Sequence, residues 1–430
     1  MKDKIKIGYV GCGRRGYGVL KHCFSQMVDV DIVALCDVNP ANMEKAKDII
    51  VEHGKPVPPM MTTNYQDVLD HPEIDAIVLM TGWDERPAMA KQSLLAGKYT
   101  AVEVGCAVSL DDCYDLIDTY EKTGVPLMML ENCCYSRREM MTLNMREKGL
   151  FGEIVHCTGA YAHYLNKVEL FKEMHEDPEK KEINHYRLNH YINNCRENYP
   201  THALGPVSKI LNLNRGNRMV SLVSVASKAA GLKQYAKDNF GEDCKYANID
   251  YKQGDIVNTI ITCADGATIL LTLDTTIPRP YYSRNYGVRG TKGLYTEERK
   301  VGWIEGMEEI EEVKSNEAEF FEKYDHPLHV EYESLHEKRG GHGGLDWLVC
   351  RAFVESVKNG TNTPIDAYDT VLWMAIGALS EESIKTGRAV EVPDFTRGKW
   401  EHREPPVLGK YCLDKVCEDK STPLFPELAE

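Results

Sequence analysis

The sequence predicts an α/β protein in which a doubly wound parallel sheet is followed by an α+β domain with a mostly antiparallel open sheet. Three observations predict it. A glycine-rich turn follows the first apolar run of the 430-residue chain. Strand-like and helix-like hydrophobic periods then alternate through the first third, which is typical of repeated βαβ units. Beyond residue 150 the pattern changes to short strands separated by turn signals such as Asp265-Gly266, which favours antiparallel pairing.

The glycine-rich turn contains the residue types that a dinucleotide-binding loop requires. In the sequence G-x-G-x-x-G, the first glycine permits a tight turn, the second lets the backbone approach a pyrophosphate, and the third lets the helix pack closely. Asp37 ends the next apolar run, where a carboxylate accepts hydrogen bonds from ribose hydroxyls and repels a 2′-phosphate. We therefore predict a Rossmann domain over residues 1–134 that binds NAD through Asp37 and through a loop made of Gly11, Cys12, Gly13, Arg14, Arg15 and Gly16.

Nine further segments justify the parallel sheet in chain order. The predicted strands are Ile5–Val10, Asp31–Cys36, Ala76–Met80, Tyr99–Val104 and Pro126–Glu131. The predicted helices between them are Gly16–Gln26, Pro40–Glu52, Pro87–Ala96 and Leu110–Thr123. Because each strand is followed by a helix, successive strands are expected to run parallel.

Residues 135–430 are predicted to form the second domain. After a helical stretch at Tyr135–Lys148, the expected strands are Ile154–His163, Met219–Lys228, Asp255–Cys263, Ala267–Thr276 and Ser283–Gly290. The polar segment Asn166–Arg196 is expected to extend over a site, and the glutamate-rich segment Met307–Lys323 to be a solvated surface. Helices at Leu345–Val357 and Ala367–Lys385 are expected to pack back toward the first domain.

Charge and cysteine usage restrict the partners and the compartment. With 51 basic and 66 acidic side chains the net charge is −15, which disfavours nucleic acid and anionic membranes as partners. No apolar run approaches the ~18 residues of a spanning helix, and the chain starts without the apolar region of an export signal. The 14 cysteines form no C-x-x-C motif, so we expect reduced thiols in a cytoplasmic protein, which we also expect to be a homo-oligomer.

Several blocks of the sequence resemble one enzyme family. They are Met129-Leu130-Glu131-Asn132, Gly149-Leu150-Phe151-Gly152-Glu153, Ala160-Tyr161-Ala162-His163, Tyr186-Arg187-Leu188, Tyr199-Pro200-Thr201-His202-Ala203-Leu204-Gly205-Pro206, Pro278-Arg279-Pro280-Tyr281, Gly341-His342-Gly343-Gly344-Leu345-Asp346 and Pro393-Asp394-Phe395-Thr396. Together they resemble glycoside hydrolase family 109, a branch of the glucose–fructose oxidoreductase and inositol dehydrogenase superfamily. Members of this branch are NAD-dependent glycosidases whose founding activity removes α-linked N-acetylgalactosamine.

Two departures from the superfamily pattern bear on function. The usual Glu-Lys-Pro, whose lysine helps to deprotonate an alcohol, is here Glu103-Val104-Gly105, which argues against an ordinary sugar dehydrogenase. In the loop Thr81–Arg86, an arginine, Arg86, stands where a histidine is usual. Because this loop borders the nicotinamide and the sugar, the sugar, its anomer and the aglycone stay open.

The resemblance implies a redox mechanism on a hexose or N-acetylhexosamine glycoside. Bound NAD⁺ transiently oxidises C3, a base removes the C2 proton, the C1 substituent is eliminated, water adds, and C3 is reduced again. The matching catalytic residues are His202 for the C3 hydroxyl, Tyr161 for the C2 proton and His163 as a helper. A free tyrosine, with a pKa of about 10, is a poor base, so Tyr161 requires a cationic neighbour. Alternatively, Tyr161 is an ordinary strand tyrosine, and His202 lies in a helix-capping region where Thr201 is the cap.

Other matching positions are assigned to ligand binding by the same resemblance. Thr81, Trp83, Glu103 and Asn132 are expected to contact the cofactor, and Glu131, Arg187, Tyr199, Tyr281 and His342 the sugar. Interdomain salt bridges, core packing or, for His342, a plain loop position are the alternatives. No metal is predicted, because His185 and His190 do not share a helix face. The competing functions are an NAD-dependent oxidoreductase that releases a keto-sugar and a non-catalytic NAD-bound sensor.

Overall fold

The first domain of the computed structural model is built on a six-stranded parallel sheet with the order β3-β2-β1-β4-β5-β6. The structure describes residues 2–105, 109–308, 314–335, 339–407 and 409–426. The strands are β1 (Ile5–Val10), β2 (Val30–Cys36), β3 (Met60–Thr62), β4 (Ala76–Leu79), β5 (Tyr99–Val102) and β6 (Leu127–Met129). The helices are α1 (Arg14–His22), α2 (Pro40–Glu52), α3 (Tyr65–Asp70), α4 (Arg86–Leu95) and α5 (Leu110–Thr123).

Local sequence explains where these helices begin and end. Asn39 caps α2 by accepting a hydrogen bond from Ala41 N, and Pro40 occupies the first helical position, where its missing N–H costs nothing. Ser109 caps α5, which ends at Gly124 in the left-handed conformation. Strand β3 and helix α3 were not predicted. They are only three and six residues long, too short for a hydrophobic period to show.

The second domain contains an eight-stranded sheet with the order β13-β12-β11-β7-β10-β9-β8-β14. Its strands are β7 (Ile154–Ala162), β8 (Met219–Ala226), β9 (Ile256–Cys263), β10 (Thr268–Asp274), β11 (Gly287–Gly290), β12 (Gly293–Thr296), β13 (Val301–Ile304) and β14 (Val390–Glu391). All pairs are antiparallel except β7 with β10. The predicted strand from Ser283 begins only at Gly287, and Ser283 itself makes a single bridge to Ala162.

Helices surround this sheet and reach the first domain. They are α6 (Arg137–Glu147), α7 (Lys172–Glu176), α8 (Tyr186–Asn193), α9 (Thr201–Ile210), α10 (Gly231–Phe240), α11 (Glu317–Tyr324), α12 (Pro327–Ser334), α13 (Leu345–Asn359) and α14 (Ala367–Thr386). Helix α13 packs on β1 and α1, and α14 packs on α5 and β6. The second domain therefore lies against the first domain along two long helices.

Two further predictions from the sequence concern membrane-spanning helices and the cysteines. Among the described residues, no helix combines the length and the apolar character needed to cross a membrane. The cysteines within the described ranges are free thiols, and most are buried. Cys106 lies outside the described residues.

Candidate active site and cofactor cleft

The loop after β1 has the geometry of a dinucleotide cradle. Gly11 has φ = +89°, and a Cβ there would lie 2.8 Å from the Met80 backbone. A Cβ on Gly16 would lie 1.9 Å from the Gly11 oxygen, whereas one on Gly13 would meet nothing within 4 Å. The crowded glycines shape the turn, and the open one leaves room for a ligand backbone at the start of α1.

Asp37 lies beside this loop, at the carboxyl end of β2. Its Oδ2 accepts a hydrogen bond from Cys12 N at 2.6 Å, and its Oδ1 accepts one from Asn39 N at 2.8 Å. Oδ1 also accepts a hydrogen bond from Asn42 Nδ2 at 3.2 Å. Because each carboxylate oxygen has two lone-pair sites, Oδ2 keeps one that can accept a hydrogen bond from a ribose hydroxyl. This arrangement fits the NAD-binding role predicted for Asp37.

The loop after β4, residues 81–86, is the second loop that was predicted to contact the cofactor. The buried atoms Thr81 Oγ1 and Trp83 Nε1 have no hydrogen-bond partner among the described residues, which fits a site completed by a polar ligand. Arg86 donates to the carbonyl oxygens of Glu103 at 2.5 Å and Val104 at 2.7 Å, and also to that of Thr81. The arginine at the usual histidine position therefore ties the ends of β4 and β5 together.

Arg15 and Asn132, both predicted to bind the cofactor, meet at one carboxylate that the sequence analysis left without a role. Arg15 donates through both terminal nitrogens to Asp346, at 2.8 and 3.0 Å, and through Nε to Glu103 at 3.1 Å. Asn132 Nδ2 donates to Asp346 at 2.7 Å, and His342 Nδ1 lies 2.9 Å from the same carboxylate. Asp346 is the last residue of the Gly-His-Gly-Gly-Leu-Asp block, but the sequence did not show that it contacts Arg15, Asn132 and His342.

The predicted catalytic residues lie together in an aromatic cluster. Tyr161 is near the end of β7, its ring stacks on Tyr199 at 4.2 Å, and its centroid lies 5.5 Å from that of His202. The Tyr161 hydroxyl is 3.2 Å from His163 Nδ1. His202 is in the first turn of α9, which approaches β7 closely because residue 159 is glycine, where a Cβ would lie 2.7 Å from the Ala203 Cβ.

Thr201 does not cap this helix, so that prediction is wrong. Pro200 occupies the N-cap position, and no side chain caps the helix. The proline places Thr201 inside the first turn, where its side chain is fully buried.

Glu131 contacts the Nδ1 side of the His202 ring. The glutamate is 0% exposed, and its Oε1 lies 2.7 Å from His202 Nδ1 while it also accepts from Cys133 N at 3.0 Å. Burial opposes ionisation of Glu131, but the charge and hydrogen bond of His202 outweigh it, so the pKa of Glu131 lies below its ordinary value. An ionised Glu131 favours a proton on Nδ1, so Nε2 is the ring nitrogen that remains to accept a proton.

Arg187 is the cationic neighbour that Tyr161 requires. Its guanidinium lies 5.2 Å from the Trp83 ring and 5.0 Å from the Tyr199 ring. Burial raises the pKa of Tyr161, and the nearby charge of Arg187 offsets part of that rise. Burial and Arg187 both lower the pKa of His163, so its imidazole is neutral and Nδ1 can accept a hydrogen bond from the Tyr161 hydroxyl.

Tyr281 and Tyr282 differ in where they point. Tyr281, expected to contact the sugar, is 56% exposed, and its hydroxyl lies 3.2 Å from Glu298. The ring of Tyr282 lies 6.2 Å from that of Tyr161 and 5.3 Å from that of His163. The structure thus brings Tyr282, which the sequence analysis missed, to the cluster. In an extended segment, neighbouring side chains point to opposite faces, so only one of Tyr281 and Tyr282 could face the cluster. The sequence did not show which one, because it does not give the register of the segment.

A metal centre is not the simplest interpretation of the polar groups here. Ligand atoms of Glu131, Cys133 and His202 lie within 4.8 Å of one another. Burial keeps the pKa of Cys133 well above its usual range, and its Sγ donates to Asn132 Oδ1 at 3.5 Å. These three residues are joined to one another and to Asn132 by hydrogen bonds, so we treat the cluster as hydrogen-bonded support for His202.

Comparisons with known proteins assign this architecture to a family. The model of the glycosyl hydrolase 109 C-terminal domain matches residues 135–402, which is more than half of the chain. The chain belongs to glycosyl hydrolase family 109. The NAD-binding Rossmann model of an oxidoreductase family matches residues 5–131. The protein is therefore an NAD-dependent glycoside hydrolase with an oxidoreductase fold.

Individual relatives of this family 109 protein support the same assignment. An α-N-acetylgalactosaminidase from Tannerella forsythia is 36% identical over 416 residues, which are 93% of this chain and 88% of that protein. A family 109 protein from Stenotrophomonas maltophilia is 37% identical over 430 residues, covering 95% and 93% of the two chains. Levoglucosan dehydrogenase with NADH has a TM-score of 0.68 at 16% identity, covering 91% of this chain and 99% of its own, and shares the fold.

Proposed function

We propose that the protein cleaves a hexose or N-acetylhexosamine glycoside by transient oxidation at C3, with an α-N-acetylgalactosaminide as the first substrate to test. One observation carries the proposal: Tyr161, His163 and a His202 bound to Glu131 lie in one aromatic cluster, and Trp83 of the predicted cofactor loop contacts that cluster at Tyr199. The name of the Tannerella forsythia relative supports the choice of sugar. Cytoplasmic location and homo-oligomeric assembly stay predictions of the sequence.

In this proposal His202 accepts the proton of the C3 hydroxyl. Glu131 orients the imidazole so that Nε2 accepts the hydroxyl proton, and the carboxylate stabilises the charge that develops on the ring. NAD, when bound, supplies the chemistry that takes a hydride from C3 and later returns it. Thr81, Trp83 and Asp37 are the residues that would hold it.

In this proposal Tyr161 is the base that removes the C2 proton. A C3 ketone acidifies the C2 proton, and the Tyr161 oxygen removes it while the Tyr161 hydroxyl gives its own proton to the neighbouring His163. Arg187 stabilises the negative charge on that oxygen. The C1–O bond then breaks, and the leaving oxygen takes up the proton that His163 received. Water adds its hydroxyl at C1, a proton returns to C2, and the C3 ketone is reduced back to the alcohol, so the net reaction is hydrolysis.

The decisive experiment follows hydrogen at C2. Nitrophenyl α- and β-glycosides, including the α-N-acetylgalactosaminide, are incubated with the enzyme in D₂O while absorbance is monitored at 340 nm. We expect hydrolysis with deuterium at C2 of the product and no net NADH. Hydrolysis without deuterium at C2 would overturn the mechanism. Steady accumulation of NADH with a keto-sugar would favour the oxidoreductase, and a bound ligand without any reaction would favour the sensor.

A further inference from the structure

The two consecutive arginines of the glycine-rich loop both point into the second domain. Arg15 binds both oxygens of Asp346 on α13. Arg14 donates to the Val168 carbonyl oxygen at 3.0 Å and to Glu169 at 3.2 Å. Protein carboxylates therefore neutralise the charges that the sequence analysis assigned to the cofactor, and each arginine joins the loop to a different segment of the second domain.

Asp346 is the stronger of these two anchors. It is 3% exposed and lies in the first turn of α13, where the helix N-terminus favours a negative charge. Burial opposes its ionisation, but His342 and Arg15 outweigh burial and hold the pKa of Asp346 well below its usual range. A bidentate pair of an arginine with a buried carboxylate is stronger and more directional than a pair of exposed side chains, and here the carboxylate is buried while the Arg15 side chain is 36% exposed. The Arg14 pair is more exposed and contributes less.

A short glycine-rich strap, residues 340–344, lies against this carboxylate. Gly340, His342, Gly343 and Gly344 all have positive φ values. A Cβ on Gly341 would lie 2.6 Å from Asp346 Oδ2, and one on Gly344 would lie 2.0 Å from the Tyr332 hydroxyl oxygen. The strap is thus shaped to pass directly over Asp346, and His342 returns a ring nitrogen to the same carboxylate.

We propose that Arg15 and Asp346 form a clasp that holds the strap and the second domain closed over bound NAD, so that the cofactor is retained between turnovers. The clasp joins the strap to the loop where the pyrophosphate of NAD is expected to lie. A cofactor that is reduced and reoxidised within each catalytic cycle has no need to leave. The reason for retaining NAD rests on the proposed function, but the exchange of bound NAD is measured without turnover.

The test measures how fast bound NAD leaves the intact protein. Enzyme loaded with NAD is mixed with a large excess of isotopically labelled NAD, and the bound cofactor is analysed by mass spectrometry after desalting and denaturation. Asp346→Asn keeps the shape of the side chain and removes the charge that holds Arg15. We expect exchange to be faster by about tenfold or more, and tenfold corresponds to ~1.4 kcal/mol.

Asp29→Asn is the matched control. Asp29 is also buried, and it also binds an arginine of α13 through both oxygens, at 2.6 Å each to Arg351. It precedes β2 and so lies at the amino edge of the sheet, whereas the glycine-rich loop lies at the carboxyl edge. We expect Asp29→Asn to lower the melting temperature and to leave NAD exchange at the wild-type rate.

Three results would overturn the clasp. One is an unchanged exchange rate in Asp346→Asn, and another is an equal acceleration in Asp29→Asn, which would reduce Asp346 to a general stabilising residue. The third uses His342→Ala, a variant expected to fold because the side chain of His342 is 62% exposed. It should accelerate exchange by a smaller factor, and no acceleration would remove the strap from the proposal. Deuterium incorporation at C2 is read separately, so failure of the clasp and failure of the mechanism are distinguishable.

Discussion

At the scale of single residues, the Tyr161 hydroxyl has the setting of a group that must lose and regain a proton. Tyr161→Phe keeps the ring that stacks on Tyr199 and removes only the oxygen that faces His163. We expect cleavage and C2 exchange to fall by about 10²–10⁴-fold, the usual contribution of a positioned general base, while NAD remains bound. Product formation and C2 deuterium are measured on the same sample. Exchange that survives in Tyr161→Phe would assign the base to another residue.

Glu131 is expected to act on the reaction only through His202. Glu131→Gln retains an oxygen that can accept from Nδ1 but removes the buried charge, so His202 loses the stabilisation of its protonated form. We expect kcat to fall by roughly tenfold or more, a fraction of the general acid–base contribution, with little change in KM. A rise in KM at constant kcat would instead indicate that Glu131 binds the sugar.

The residues that the sequence identified and those it missed differ in one physical respect. Tyr161, His163 and His202 stand in short contiguous blocks whose residue types suit proton transfer, and these blocks could be recognised locally. Asp346 is separated from Arg15 by 331 positions, so no spacing rule relates the two. Their pairing depends on how α13 packs against the first domain, which only the folded chain defines.

At the scale of elements, the distance between strand β7 and helix α9 sets the geometry of the cluster. Gly159→Ala would place a Cβ against Ala203 and move the helix that carries His202 away from Tyr161. We expect a loss of about 1–3 kcal/mol in stability from overpacking, together with a loss of kcat that exceeds any loss of NAD affinity. Denaturant unfolding and steady-state kinetics measure the two effects.

Gly18→Ala, in helix α1, is the control for Gly159→Ala. Gly18 lies inside α1, where a Cβ would meet nothing within 4 Å. Alanine in an exposed helix interior stabilises by about 0.5–1 kcal/mol relative to glycine, so this variant should keep its activity and gain stability. If Gly159→Ala kept wild-type kcat, the close approach of α9 would have no part in positioning His202.

The elements themselves show where sequence patterns are informative. Alternating strand and helix periods predicted β1, β2, β4, β5 and β6 and their parallel direction, because buried parallel strands are continuous apolar runs. The parallel pairing of β7 with β10 inside an otherwise antiparallel sheet has no such signature. It depends on long connections that bring strands together, and a hydrophobic period contains no information about them.

At the scale of the whole molecule, buried ion pairs join distant parts of the chain. Asp29 and Asp346 fasten α13 to opposite edges of the first sheet. Near the start of α14, Asp369 accepts from Lys209 at 2.6 Å and from Arg215 at 2.9 Å, which ties α14 to α9 and the segment after it. Breaking one partner of such a pair leaves an uncompensated buried charge, so we expect the Asp29 and Asp346 pairs, which cross between the two domains, to couple their unfolding.

Glu197 adds a pH dependence to this stability. It is 1% exposed, its Oε1 accepts from Tyr199 N at 3.3 Å, and burial raises its pKa to about 8. Between the ordinary value of 4.5 and about 8, the unfolded chain loses this proton while the folded protein keeps it. The folded state then binds more protons, so the contribution of Glu197 to stability decreases as pH rises through this window.

Glu197→Gln mimics the neutral acid and removes that contribution. We expect the free energy of unfolding of the variant to rise relative to wild type from pH 5 to pH 8, by at most ~1.4 kcal/mol per pH unit. Denaturant titrations at saturating NAD, at four pH values, measure the difference. Glu52→Gln, on the exposed side of α2, should show no such trend. If the difference in the free energy of unfolding between wild type and Glu197→Gln stays constant from pH 5 to pH 8, Glu197 is ionised in the folded protein. That result would contradict the prediction of a neutral acid at this position.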